Sequence, residues 1–164
     1  MANRLKADFA EHVRENYEHR AKSCSACETP GVCCTDAHFV NVRISRLEAV
    51  AIRNVIARLP DSKADEVYRR IDESIDKYGL STRPNDTEQK FACPLFEKGI
   101  GCLVHNEGKP LPCIMHACYE REEHLPPDEL LDEKEAAVER LNRRVYGGPQ
   151  SPLPLPVAIK KISG

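Results

Sequence analysis

A small, mostly α-helical single domain with two cysteine-rich loops and little β-structure is the fold class this sequence predicts. Three observations carry that expectation. A chain of 164 residues is the size of one domain. Its longer segments repeat apolar residues at three- and four-residue steps, the period of a helix that buries one face. Its eight cysteines fall in two tight groups, Cys24-x2-Cys27-x5-Cys33-Cys34 and Cys93-x8-Cys102-x10-Cys113-x4-Cys118, in stretches broken by Gly and Pro.

Composition narrows the classes further. The chain is long enough to bury a core, but without Trp, with four Phe and with 30% charged residues, that core is modest. A formal charge of -2 leaves no electrostatic footprint for nucleic acid. No apolar run approaches the roughly 20 residues of a membrane span. The segment after Met1 is charged throughout and lacks an apolar run of signal-peptide length, so the expected location is a reducing cytoplasm. The domain is expected over 1–148, with a Pro-rich tail over 149–164.

Taken in order, residues 3–22 read as an amphipathic helix with Leu5, Phe9, Val13 and Tyr17 on one face. The first cysteine loop, 23–36, follows. Phe39, Val40, Val42 and Ile44 suggest a short extended segment. Ser45-Arg-Leu-Glu48 has capping-box spacing and opens a helix bearing Leu47, Val50, Ala51, Val55 and Leu59, which ends near Pro60. A helix over about 61–78 carries Val67, Ile71, Ile75 and Tyr78, with Gly79 placed for its cap. Residues 81–90 are a polar connection, and 91–118 are mostly loop. A short helix is expected from Pro112 to about Glu123. The last helix starts at Asp128, turns Leu131, Val138, Leu141 and Val145 inward, and closes at Gly147-Gly148. Pro149, Pro152, Pro154 and Pro156 then predict an extended tail or strap.

Eight thiols in this pattern point to metal ligation. Cys24-x2-Cys27 is a tight two-thiolate turn found in zinc and iron–sulfur sites. The adjacent Cys33 and Cys34 strengthen it, and their diverging side chains can serve different metals. Loop backbones supply N–H donors to thiolate sulfur, and a metal offsets the entropy of ordering them. The candidate ligands are therefore Cys24, Cys27, Cys33, Cys34, Cys93, Cys102, Cys113 and Cys118. His105 and His116, each three residues after a cysteine, are further candidates for a mixed sulfur–nitrogen site. If 113–118 is helical, Cys118 turns about 140° away from Cys113 and His116 is the closer substitute.

The cysteine run, together with Phe91-x-Cys93-Pro94-Leu95-Phe96, Gly101-Cys102, Lys109-Pro110-x2-Cys113 and Cys118, resembles the YkgJ-type proteins. These are described as a cysteine-rich zinc- or iron-chelating domain. The resemblance spans about 24–118 and includes Val42-x-Ile44-Ser45 and Glu48. The chain departs from the family pattern at Lys109, where Arg is usual before the proline, and at Val104-His105, where an aromatic is common. A Lys point charge does not reproduce a bidentate guanidinium contact. The resemblance implies metal binding and no particular reaction.

Three functions are open on the sequence. The first is a metal-binding protein holding an iron–sulfur cluster or zinc, since all-thiolate sites suit both. Cys33-Cys34 and Cys93-Pro94, unusual in zinc ribbons, tip the balance toward iron–sulfur. The second is a metal-dependent enzyme or accessory subunit for redox or protein-modification chemistry, with an unidentified protein partner. No nucleotide loop, nucleophile motif or carboxylate pair supports it. The third is a disulfide-stapled or thiol-redox protein.

Overall fold

The computed structural model describes residues 2–23, 27–35, 41–83 and 89–163. Of these, 58% are helical and 8% are in strands, as the mostly-α expectation requires. The order is α1 (Ala2–Asn16), β1 (Ala21–Lys22), α2 (Val32–Thr35), β2 (Arg43–Ile44), α3 (Arg46–Ile56), α4 (Asp61–Tyr78), β3 (Phe96–Glu97), β4 (Gly101–Cys102), α5 (Leu111–Met115), β5 (Cys118–Tyr119), α6 (Asp128–Tyr146), β6 (Leu153–Pro154) and α7 (Leu155–Ser163). The strands form three two-residue antiparallel pairs, β1–β5, β2–β6 and β3–β4. No described helix is long and apolar enough to cross a membrane.

Two cores organise the helices. The larger joins α3, α4 and α7, with Ile52, Ile56, Val67, Ile71, Leu155 and Ile159 fully enclosed. Phe91, Leu95 and Val104 from the second cysteine segment pack into it. The smaller core joins α1, α5 and α6 through Phe9, Val13, Leu111, Ile114 and Val138.

Helix α4 has the bounds its sequence predicts. Pro60 precedes it with no helical partner to lose, and Gly79 ends it in the left-handed region at φ +59°. The capping box of α3 is also present: Ser45 Oγ accepts from the Glu48 N–H, and the Glu48 carboxylate accepts from the Ser45 N–H. The buried face of α3 differs from the expected one, being Glu48, Ala49, Ile52 and Ile56, with Leu47, Val50, Ala51 and Val55 half-buried. Helix α1 stops at Asn16 rather than running to 22, because 21–22 pair with β5.

Two further differences have clear causes. On α6, Val145 is 59% exposed while Asn142 is fully enclosed, its Oδ1 accepting from the Leu47 N–H in the first turn of α3 at 3.1 Å. A polar side chain wins the inward position because it satisfies an otherwise orphaned helix donor. The expected extended tail is instead a strand and a helix. Residues 153–154 pair with β2, Leu155 N–H donates to the Val42 carbonyl at 2.9 Å, and α7 seats Val157, Ala158 and Ile159 in the larger core. Pro156 lies in the first turn of α7, where its missing N–H costs no helical bond. Of the residues expected to be extended before α3, Phe39 and Val40 lie outside the described residues, and Ile44 is in β2.

Because α7 is core rather than tail, Ile159→Ala should destabilise the chain by about 2–5 kcal/mol. Urea unfolding checks this, and a change under about 0.5 kcal/mol, as expected for a surface position, would exclude the packing described.

Candidate metal centre

The second cysteine segment is two tight turns joined by a hairpin. In the first, Cys93-Pro94-Leu95-Phe96, the Phe96 N–H donates to the Cys93 carbonyl at 3.3 Å, and the backbone N–H groups of Leu95 and Phe96 lower the Cys93 thiol against its burial. In the second, the His105 N–H donates to the Cys102 carbonyl at 3.1 Å, and the backbone N–H of Val104 lowers the Cys102 thiol against its burial. The β3–β4 pairing sets Phe96 opposite Cys102, and the Leu103 N–H reaches the Leu95 carbonyl at 3.0 Å. Helix α4 holds this hairpin from below. Arg70 donates to the Phe96 carbonyl at 3.2 Å, Ser74 to the Ala92 carbonyl at 3.4 Å, and Lys63 pairs with Glu97.

The first cysteine loop docks on this hairpin through α2. The Cys93 N–H donates to the Cys34 carbonyl at 2.7 Å, a short bond between the two cysteine groups. Gly31, at φ +83°, lies under the Phe96 ring, and a Cβ there would stand 1.9 Å from Phe96 Cζ. Both the backbone conformation and the contact demand glycine.

The fourth piece is α5, which carries Cys113. Its position depends on Glu48, whose Oε1 accepts from the Leu111 N–H at 3.2 Å and faces the buried Lys6 ammonium at 3.6 Å. Lys6 also donates to the Gly108 carbonyl at 3.3 Å. Lys6 lies on α1 among the charged residues that alternate with its apolar face. Its spacing to Phe9 and Val13, three and seven residues on, places it on the buried face.

These four pieces bring Cys34, Cys93, Cys102 and Cys113 near enough for the charge of each to act on at least one of the others. Burial first, then the neighbouring sulfurs, pushes the Cys34, Cys93 and Cys113 thiols up to about 12. Burial also raises Cys102, against the Val104 N–H and the Lys109 charge, which lower it. Among the described residues, no three His, Cys, Asp or Glu side chains form a group that could hold a metal ion as they stand. By chemistry alone, these four thiols are of the type that ligates a soft metal.

The other expected ligands are placed differently. Cys24 lies outside the described residues. Cys27 is half-buried with its sulfur 4.0 Å from Thr29 Oγ1, and Cys33 adjoins Cys34, to which its thiol hydrogen-bonds. Cys118 is in β5 opposite Lys22. The helix expected through Cys118 ends at Met115, since His116 is extended (φ -78°, ψ 121°) and β5 pairs with β1. The 140° helical argument against Cys118 therefore does not apply. His105 and His116 are both exposed. Partial desolvation, then Lys109, holds the His116 imidazole below its usual range. All seven described cysteines are free thiols.

No protein-family model, no characterised protein and no solved structure matches this chain. The likeness to YkgJ-type proteins therefore stands on the motif residues alone.

Two outcomes are expected. Gly31→Ala should separate α2 from the hairpin, loosening Cys34 and lowering thermal stability. A melt and a thiol-labelling rate at Cys34 equal to those of the wild type would refute the docking. The second concerns pH. The folded thiols titrate above the unfolded value near 9, so the metal-free chain favours their protonated form. That stability is complete below pH 9 and is lost as the pH rises toward about 12. Denaturant midpoints measured across this range should fall in the metal-free wild type and fall less in Cys93→Ser.

Proposed function

We propose that this chain is a cytoplasmic metal-binding protein of YkgJ type. It would hold an iron–sulfur cluster or a zinc ion through Cys34, Cys93, Cys102 and Cys113. The observation that carries the reading is the meeting of the two distant cysteine groups: the Cys93 N–H donates to the Cys34 carbonyl at 2.7 Å, and the charges of Cys34, Cys93, Cys102 and Cys113 act on one another.

The four thiols come from four segments, and their raised titration means that each gives up a proton when a metal binds. Among the described cysteines the reading favours these four, and Cys24, outside the described residues, stays a candidate. The family-like pair Cys33-Cys34 and the Cys93-Pro94 turn favour iron–sulfur over zinc. Bound, either group would supply a cross-link between loops, and the cluster would supply one-electron chemistry as well.

Anaerobically purified protein should carry metal in fixed ratio, and Cys93→Ser or Cys113→Ser should remove most of it. Cys27→Ser should retain the metal. Visible absorption with bound iron identifies a cluster, while colourless protein holding only zinc replaces the cluster by a zinc ion. Wild-type protein that binds neither metal under any loading condition overturns the reading.

A further inference from the structure

Away from the cysteines, a cleft of about 580 Å³ runs along one stripe of α6. That volume is in the range of sites that take small ligands, about 300–1,000 Å³. Asp132, Glu135, Glu139 and Arg143 follow one another along the stripe at three- and four-residue steps. Facing them are Ser45 and Glu48 at the start of α3, Leu111 of α5, Arg43 of β2 and residues 149–152. Ala136, Val138, Leu111 and Pro152 supply apolar wall.

The charges in this cleft are sorted by end. Toward the start of α6, Asp132 and Glu135 meet Glu48. Burial first, then Glu48 and Asp132, holds the Glu135 carboxyl above its ordinary value. Glu48 is matched by Lys6, but the exposed Asp132 and Glu135 have no ion pair among the described residues. Nor do three acidic side chains, among the described residues, gather closely enough to hold a metal ion. At the other end stand Arg143 and Arg43. Arg143 gives its Nε to Glu139 at 2.8 Å, which leaves its two terminal nitrogens without a partner among the described residues. Arg43 donates to the Pro152 carbonyl at 2.9 Å and so ties the 149–152 segment to β2.

Arg143 lies eleven residues after Asp132 and eight after Glu135, a span of about 12–17 Å at about 1.5 Å per residue. A molecule matching the cleft carries a cation and an anion that far apart on a slim, partly apolar body. A small ion satisfies one end only. An extended peptide advances about 3.3–3.6 Å per residue, so about four residues set a free ammonium and a free carboxylate at that separation whatever their sequence.

We infer that this cleft binds a short extended peptide with both termini free, its ammonium between Asp132 and Glu135 and its carboxylate on the terminal nitrogens of Arg143. A guanidinium presents parallel N–H donors to a carboxylate, a closer match than a point charge. The apolar walls then cover the middle residues, which favours uncharged side chains there. The site holds whether or not the cysteines take a metal.

Calorimetric titration of the full chain with the tetrapeptide Ala-Leu-Val-Ala tests this, beside its N-acetylated and C-amidated forms. The free peptide should bind tightest. Blocking either end should weaken it about 3- to 10-fold, between the worth of an exposed ion pair and that of a buried charged hydrogen bond. Arg143→Gln should weaken the free peptide by the same factor and leave the amidated form unchanged. Asp132→Asn combined with Glu135→Gln should weaken the free peptide and leave the acetylated form unchanged. Arg140→Gln, on the same helix but outside the cleft, should match the wild type. All four positions are exposed, so thermal midpoints should agree across the variants. Equal binding of free and blocked peptides overturns the inference. So does an Arg143→Gln loss that persists with the amidated peptide, or an equal loss in Arg140→Gln. Wild type that binds no free peptide up to about 1 mM overturns it as well. Each of these outcomes is independent of the metal content of the chain.

Discussion

Glu48 ties three remote pieces of this chain through one carboxylate. Oε2 accepts from the N–H and the hydroxyl of Ser45, both at 3.1 Å, and so starts α3. Oε1 accepts from the Leu111 N–H, which sets the first turn of α5, and faces the Lys6 ammonium on α1. Lys6 continues to the Gly108 carbonyl. Every member is buried and every charge is matched, the condition under which an interior ion pair is tolerable. Removing the carboxylate alone would strand a buried cation and three donors, with a penalty of about 3–5 kcal/mol. Cys113 and Lys109 both lie within four residues of groups this network holds, so the candidate site inherits its geometry from Glu48.

Half of that network was legible in the sequence. Ser45-x-x-Glu48 is a local signal, and the capping box it predicts is present. The second half is tertiary: nothing in the spacing says that the same carboxylate meets Leu111, sixty-three residues away. The same division explains α4 and α5. Helix α4 follows from its own residues, from Pro60 to Gly79. The helix expected through Cys118 was a local inference overruled by a distant partner, β1, whose two residues take the backbone of 118–119. In α7 the four prolines masked an apolar run, Leu155 to Ile159, that the larger core needs. The proline that sits inside the helix falls in its first turn, where it does no harm.

The cysteines show where spacing runs out. Eight thiols looked alike in the sequence, and the Cys24-x2-Cys27 turn was the most familiar. What distinguishes Cys93 and Cys102 is the β3–β4 pairing that joins their two turns, a property that no spacing records. What distinguishes Cys34 is a carbonyl that receives the Cys93 N–H. Gly31 and Phe96 could have been paired by eye only with the fold in hand, since sixty-four residues separate them.

Cys93, Cys102 and Cys113 lie along a seam between the two cores. Cys93 and Cys102 pack against the larger core, whereas Cys113 sits between Leu111 and Ile114 of the smaller one. The seam is fastened without metal, because Glu48, on α3 of the larger core, reaches Lys6 and Leu111 of the smaller. Asn142 of α6 adds a second fastening at the Leu47 N–H. The thiols themselves resist becoming charged there: burial and mutual repulsion keep them protonated near neutral pH. On the metal reading proposed above, an incoming ion would meet a framework already held by the Glu48 carboxylate and would have to displace protons from these thiols.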